Sequence, residues 1–113
     1  MATIIEDYCS QEVYRLLREK GFDGEVHTTF DGEGYTQPSI TLQMAMKWLR
    51  EKYNIYISIL PDFPSDKNYK MCWCWSVGTL HENCISTKGC QCYIETYKEA
   101  TEAAIKYCLE NLI

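Results

Sequence analysis

The chain has 113 residues, of which 46% are hydrophobic and 24% are charged, as in one globular domain with a single core. These values exclude a low-complexity chain, and no run of about twenty apolar residues is present to cross a membrane. The net charge of −5 arises in residues 1–38, which hold three basic and eight acidic residues, whereas residues 39–113 hold eight of each sign. A polyanionic partner is therefore repelled by the first third only.

Cysteine usage indicates the redox state of the protein. Seven cysteines are an odd number, and the start of the chain lacks a basic segment followed by an apolar run. Disulfide frameworks belong mainly to secreted proteins, which carry such a signal. We therefore expect a cytoplasmic protein with reduced cysteines.

A first helix is predicted from Thr3 to Lys20, because its apolar residues recur at steps of three and four. Thr3 and Glu6 have the spacing of a capping box, in which each side chain accepts the other residue's free backbone N–H. Gly21 is suited to a left-handed cap at the other end. Residues 1–21 are therefore interpreted as an acidic N-terminal helix.

Residues 22–38 are rich in glycine and acid and are predicted to be mainly loop, with one β-like piece, Val26–Phe30, as an edge strand. His27 lies in that piece and is interpreted as a surface histidine, because no second ligand or nucleophile stands at a motif spacing from it. Two pairs of nearby acids are interpreted as solvated turn residues: Asp31 with Glu33, and Asp62 with Asp66.

A second helix is predicted over residues 39–53, after Pro38, because proline is favoured at the first turn of a helix. Its apolar residues form one stripe, and Asn54 is suited to ending it in the left-handed conformation. The next segment, Ile55–Leu60, has isoleucine at every second position, which is the pattern of a strand with two different faces.

The central segment, Met71–Val77, is apolar on both of the faces that a strand presents, so it is predicted to be a buried central strand. Because tryptophan favours burial, Trp73 and Trp75 are predicted to face the helices together with the isoleucines. Cys72 and Cys74 then lie on the opposite face of the sheet.

The last third of the chain is predicted to hold one more strand and one more helix. Gly78–Gly89 is interpreted as a long connection, which leads into a short third strand, Cys90–Ile94. Thr96 and Glu99 form a second capping box, which begins a final helix that runs through Leu112. Its alanines indicate close approach to a neighbouring element.

These elements predict one domain over residues 1–113 of the α+β class, in which residues 39–113 form a helix-strand-strand-strand-helix unit. Short connections favour a three-stranded antiparallel sheet with both flanking helices on one face. Because the central strand is apolar on both sides, the other face needs a cover. The first helix or a second copy of the chain can supply it, and a homodimer is predicted.

The order of elements over residues 39–113 resembles the double-stranded-RNA-binding domain. The final helix also resembles that family's closing helix, through Lys98-Glu99-Ala100, Ala103-Ala104, Leu109 and Leu112. The resemblance implies the fold of that family and, as an expectation, binding to double-stranded RNA through phosphate contacts. In overall style the chain also resembles small uncharacterised bacterial and phage proteins, which carry no activity to transfer.

Two Cys-x-Cys pairs raise the hypothesis of a zinc site: Cys72 with Cys74, and Cys90 with Cys92. Neighbouring strands would bring the four thiols onto one face, and tetrahedral thiolate ligation suits zinc. However, Cys-x-Cys in an extended strand places its sulfurs about 7 Å apart, nearly twice the spacing within one zinc site. Buried cysteines that act as small apolar residues are the alternative, and no metal or cofactor is predicted.

No catalytic motif is present among the common ones: the chain lacks a glycine-rich phosphate loop, Gly-x-Ser-x-Gly and His-Glu-x-x-His. Only two histidines are available as a base near neutral pH. A thiol nucleophile at Cys84 beside His81 is the remaining hypothesis, and it requires that segment to be helical. The chain is therefore predicted not to be an enzyme.

The predicted function is that of a non-enzymatic domain that acts through protein contacts, as a homodimer or as a small accessory factor. Nucleic-acid binding and a zinc-stabilised domain are the two alternatives, and no membrane contact is predicted. Large aromatic residues on strands are candidate interface anchors, since such residues are enriched at interfaces. The candidates are Tyr56, Trp73, Trp75 and Tyr93. Burial of these residues in the core is the competing interpretation.

Overall fold

The computed structural model describes residues 7–24, 27–30, 36–62 and 71–113. Within them the elements are α1 (Gln11–Glu19), β1 (His27–Phe30), β2 (Thr36–Ser39), α2 (Leu42–Tyr53), β3 (Ile55–Asp62), β4 (Cys72–His81), β5 (Cys84–Ile94) and α3 (Tyr97–Asn111). Strands β3, β4 and β5 form a three-stranded antiparallel sheet with β4 in the centre, and β1 and β2 form a separate hairpin. The predicted α+β class and the order of helix, three strands and helix are confirmed.

The first helix begins later than predicted. Its N-cap is Ser10, whose hydroxyl accepts the backbone N–H of Val13, and the preceding chain is extended, with Tyr8 bridged to Thr41. The predicted start is therefore wrong across residues 7–10, because backbone pairing with the start of α2 replaces helical hydrogen bonds there. The predicted capping box of residues 3 and 6 lies outside the described residues.

The end of α1 is as predicted. Gly21 has a φ of +97°, and its N–H donates to the carbonyl of Arg18 at 3.1 Å. The N–H of Phe22 donates to the carbonyl of Leu17 at 2.9 Å, and the Phe22 side chain is buried. These paired bonds form a Schellman cap, which satisfies the last carbonyls of the helix.

The segment before α2 differs from the predicted loop and helix start. β2 runs through Pro38 to Ser39, so α2 begins at Leu42 after its N-cap Thr41 instead of at residue 39. The buried Ser39 hydroxyl donates to the carbonyl of Cys9 at 2.8 Å, which fixes this residue in the extended chain. The helix ends as predicted, at Asn54 in the left-handed conformation (φ 56°).

One face of the three-stranded sheet, the inner face, packs on the helices. β3 and β4 are paired so that Ile57 lies opposite Val77 and Ile59 lies opposite Trp75. Its inward-facing apolar residues are Ile55, Ile57, Ile59, Trp73, Trp75, Val77 and Ile94. Trp75 is 5% exposed, and its ring lies 5.3 Å from that of Tyr107 on α3. The predicted inward orientation of the tryptophans is confirmed.

Helix α1 belongs to the helical side of the molecule. It packs against α3, and its buried Val13 and Leu17 belong to the same core cluster as Ile105 of that helix. The ion pair of Glu12 with Lys106, 2.7 Å long, joins the same two helices at the surface, where such a pair contributes little. The sequence offers α1 or a second copy of the chain as the cover of the other sheet face. Because α1 packs against α3, it does not cover that face.

The predicted long connection of residues 78–89 is wrong. β4 continues to His81 and β5 begins at Cys84, and the two-residue turn between them has positive φ at both Glu82 (49°) and Asn83 (66°). This geometry matches the right-handed twist of the flanking strands, so it favours a tight hairpin. The strand ends are held together by antiparallel pairing across the turn.

Helix α3 is confirmed with its cap. The Thr96 hydroxyl accepts the backbone N–H of Glu99 at 3.1 Å. Its buried residues are Ala100, Thr101, Ala104, Ile105, Cys108 and Leu109. The alanines allow the helix to lie close to the sheet, and the Tyr107 ring lies over Gly89 of β5, where a Cβ would be only 2.6 Å from the ring.

Candidate functional site

The second face of the sheet, here called the outer face, is covered by none of the described helices, which pack on the inner face. Because side chains alternate along a strand, the residues between the inward-facing ones point away from the helices. By the strand register, the outer face consists of Tyr56, Ser58, Leu60, Asp62, Cys72, Cys74, Ser76, Gly78, Leu80, Ile85, Thr87, Cys90 and Cys92.

The outer face carries large apolar side chains that are exposed. Leu60 is 62% exposed and Ile85 is 61% exposed, and no described element covers them. Leu80 lies directly opposite Ile85 and is 37% exposed. Leu60 lies opposite Cys74, six residues along β4 from Leu80, so the exposed apolar side chains stand at both ends of the outer face, about 20 Å apart. Their exposure at both ends favours contact with another molecule along the whole face. Sequence reasoning missed all three, since it concentrated on the aromatic residues.

The four predicted interface aromatics are divided between the two faces. Tyr56 is half-buried on the outer face, and Tyr93 is 68% exposed in β5. Trp75 belongs to the core, and the half-buried Trp73 packs edge-on against Tyr97 of α3 at 5.3 Å. The structure therefore leaves Tyr56 and Tyr93 at the surface and places both tryptophans on the helical side.

Strand β5 is an edge strand, and it is irregular at two places. In the first bulge, Lys88 is an extra residue without a partner position on β4. In the second, Cys92 and Tyr93 both lie opposite Cys74. Bulges and an edge lysine disfavour the addition of another strand. Contact with another molecule is therefore easier through the outer face than along this edge.

The bulge at Cys92 contributes to a cluster of three polar groups, here called the thiol–carboxylate cluster. Its members are Asp62 of β3, Cys74 of β4 and Cys92 of β5, whose ligand atoms all lie within 4.8 Å of one another. The Cys74 thiol donates to Oδ2 of Asp62 at 3.8 Å. Asp62 and Cys74 are half-buried, and Cys92 is exposed. Three neighbouring strands thus each supply one group.

Electrostatics at the cluster keep a proton on Cys74. Its pKa is raised to about 12, first by the hydrogen bond it shares with Cys92, then by burial and by the negative charges of Cys92 and Asp62. The cluster gathers one carboxylate and two thiols, each of which can supply a ligand atom. Such a site favours a proton or a bound cation.

The predicted zinc set is only partly brought together. Cys74 and Cys92 meet, whereas Cys72 is buried outside the cluster and Cys90 is exposed two residues before Cys92. Asp62, predicted to be a solvated turn residue, lies at the end of β3 and completes the group. Strand pairing brings these three residues together, so their spacing along the sequence does not predict the group.

The other candidate residues are separated from this face or lie outside the description. Cys84 and His81 are paired across a two-residue hairpin turn and not along a helix, so the predicted helical spacing is wrong, and the thiol nucleophile stays a hypothesis. His27 lies in β1, opposite Ser39. The remaining paired acids, Asp31, Glu33 and Asp66, lie outside the described residues.

The surface expected for double-stranded RNA is acidic near α3. Lys98 is exposed in the first turn, together with the carboxylates of Glu95 and Glu99, and Glu102 accepts the backbone N–H of Ser10 close by. Neutralisation of phosphates needs several cations, so this turn offers little for it. The nucleic-acid alternative, the cytoplasmic location and the absence of catalysis stay predictions.

Among the described helices, none is long and apolar enough to cross a bilayer. Comparison of the chain with models of protein families, with curated proteins and with solved structures finds no match. The resemblance to the double-stranded-RNA-binding domain therefore stays a prediction.

Proposed function

We propose that this chain is a protein-interaction domain that self-associates through the outer face of its sheet. The observation that carries the proposal is the exposure of Leu60 (62%) and Ile85 (61%) on the side of the sheet that no described element covers. Burial of such side chains against another molecule stabilises a complex, because apolar surface leaves water.

Charge favours a second copy of the chain as the occupant. Asp62 is the one acidic or basic residue among those that the strand register places on the outer face, although the whole chain carries −5. Two copies therefore meet face to face without strong repulsion, and a two-fold axis lets each copy contribute the same patch. A strongly charged partner would gain no pairing from this neutral surface.

The area of the outer face limits the expected affinity of the dimer. Three strands at spacings of about 4.8 Å and a length of eight residues give a face of roughly 14 by 26 Å. This is about half of the roughly 800 Å² that each partner buries in a standard interface. The dimer is accordingly expected to be weak and to dissociate on dilution.

Sedimentation velocity of reduced protein tests this function over a range of roughly 5 to 500 µM, where weak dimers dissociate. The wild type is expected to shift from monomer to dimer with concentration. Ile85→Lys is expected to remain a monomer, because a buried unpaired ammonium opposes association. Met44→Lys is the matched control, since Met44 is an exposed residue on α2 (39%) outside the outer face, and it should behave as wild type.

Two outcomes would contradict the proposal. One is a wild type that stays monomeric across the whole range. The other is equal dimerisation of the wild type and Ile85→Lys, which would place the contact elsewhere. Reducing conditions are needed because Cys84, Cys90 and Cys92 are exposed and would otherwise link copies by disulfides.

A further inference from the structure

The thiol–carboxylate cluster has the composition and the spacing of a metal site. Asp62, Cys74 and Cys92 come from three adjacent strands and face the same side of the sheet. We propose that these three residues bind one zinc-like divalent cation. The three residues lie on the outer face, but one copy of the chain supplies them all, so the site does not depend on dimerisation.

The distances fit tetrahedral zinc. Zn–S bonds of about 2.3 Å and Zn–O bonds of about 2.1 Å place sulfur and oxygen ligands roughly 3.6 Å apart in a tetrahedron. The Cys74 sulfur lies 3.8 Å from Oδ2 of Asp62, and the third ligand atom, on Cys92, is within 4.8 Å of both. Because Cys92 is exposed, its side chain can change rotamer as the cation binds.

The donor set selects the class of cation. Two thiolates favour zinc and other borderline or soft metals, whereas calcium and magnesium need oxygen ligands throughout. Binding forms two metal–sulfur bonds and releases the two thiol protons to solvent. Three protein ligands leave one tetrahedral position, which water fills on this partly exposed surface.

Strand pairing explains why this site differs from a zinc knuckle. In a knuckle, a tight turn makes two cysteines of one segment converge. Here the antiparallel register brings Asp62 diagonally across from Cys74, and the bulge in β5 places Cys92 beside them. Bulges are enriched next to functional sites, where they redirect a side chain. Tyr93, the other bulge residue, has a φ of +65°, which a non-glycine residue adopts at a cost.

Cobalt(II) titration of the reduced, chelator-treated full chain tests the proposal, because cobalt substitutes for zinc and reports its ligands by absorption. The wild type is expected to bind one cobalt ion, with a thiolate charge-transfer band and the strong visible bands of tetrahedral cobalt. Zinc should displace the signal. Cys92→Ser should halve the charge-transfer band, and Asp62→Asn should weaken affinity by at least about tenfold.

Cys90→Ser is the matched control. Cys90 is an exposed cysteine on the same strand and the same face, two residues from Cys92, so its removal should leave the titration unchanged. Circular dichroism of each metal-free variant verifies that it is folded. Loss of the cobalt signal in Cys90→Ser to the same extent as in Cys92→Ser would overturn the assignment of ligands.

The same residues also allow a different chemistry, disulfide formation between Cys74 and Cys92. Mass spectrometry after mild oxidation separates the two cases, because a disulfide removes two hydrogen atoms and blocks both thiols. A reduced wild type that shows no tetrahedral cobalt spectrum overturns the metal proposal, whether or not oxidation links these cysteines. A reduced protein that binds zinc with unit stoichiometry and resists oxidation while loaded supports it.

Discussion

The two faces of the sheet are built from similarly apolar side chains but have different environments. On the inner face Ile55 is 2% exposed and Val77 is fully buried, whereas on the outer face Leu60 and Ile85 are each more than 60% exposed. The difference arises because the three helices of the described residues share one core cluster with the inner face. Apolar composition of a strand therefore indicates how many faces are to be covered, and the packing of the helices decides which one the chain covers itself.

The largest expected effect is at Trp75, which tests the inner face. Trp75→Ala should reduce the free energy of unfolding by about 3–5 kcal/mol, because it leaves a large cavity beside Tyr107. Trp75→Phe should cost less, since it retains a ring and removes an indole N–H that has no acceptor among the described residues. Urea denaturation of dilute protein measures both.

Leu60→Ala is the outer-face counterpart of that substitution. In dilute, monomeric protein it should change the free energy of unfolding by no more than about 0.5 kcal/mol, because Leu60 is already 62% exposed. A cost at Leu60 comparable to that at Trp75 would mean that the outer face is covered within the monomer. That result would break the comparison of the two faces.

Substitution of two glycines, Gly89 on the inner face and Gly78 on the outer face, tests the same difference between the two faces of the sheet. A Cβ at Gly89 would lie 2.6 Å from the Tyr107 ring, which is held by a 2.7 Å hydrogen bond from its hydroxyl to the Lys88 carbonyl. Gly89→Ala should therefore destabilise by about 1–3 kcal/mol. A Cβ at Gly78 would lie 2.5 Å from Cγ2 of Ile85, an exposed side chain that can turn toward solvent, and 3.2 Å from the Ser86 carbonyl oxygen, where a shift of a few tenths of an ångström is needed. Gly78→Ala should cost less in thermal or urea unfolding, and the reverse order would contradict the assignment of faces.

The buried thiols predict a loss of stability in alkali. Burial is the main cause that raises the pKa of Cys9 and of Cys108 from 9.0 to about 12. Between those values the unfolded chain has lost each proton while the folded chain keeps it, so stability falls as pH rises from 9 to 12. The slope is up to about 1.4 kcal/mol per pH unit for each thiol. Cys108→Ala should flatten the measured dependence, whereas Cys84→Ala at the exposed hairpin should not.

Alkylation of the cysteines distinguishes buried from exposed thiols in the folded protein. Iodoacetamide should modify the exposed Cys84 and Cys90 first, because the reagent reaches their thiolates directly. Cys9 and Cys108 are buried and should react only through opening of the structure. Peptide mapping at successive times measures the order. Early modification of Cys108 would contradict its place in the core.

Local chemistry made much of the fold predictable from the sequence. Thr96 with Glu99 gave the start of α3 correctly, and Gly21 and Asn54 ended their helices in the left-handed conformation as expected. Each of these signals acts within one turn of the chain, so no distant contact is needed to interpret it. The inward orientation of Trp75 followed from size and apolarity in the same way.

The errors occurred where distant pairing competes with local preference. The chain around Tyr8 has a helical pattern but pairs with Thr41, and the glycines at 78 and 89 indicated a loop although both accommodate neighbouring side chains in strands. The two-residue turn carries glutamate at its first central position, where glycine, asparagine or aspartate is the usual signal. The thiol–carboxylate cluster likewise depends on register and on a bulge, which spacing along one strand does not reveal.

Methyl NMR spectra at several protein concentrations test the central claim, self-association through the outer face, most directly. Ile85 and Ile105 serve as matched reporters, since Ile85 is 61% exposed on the outer face and Ile105 is fully buried in α3. The account predicts that the Ile85 and Leu60 methyl signals shift progressively with concentration while that of Ile105 stays fixed. Shifts confined to the helical surface, or none at any concentration, would contradict it.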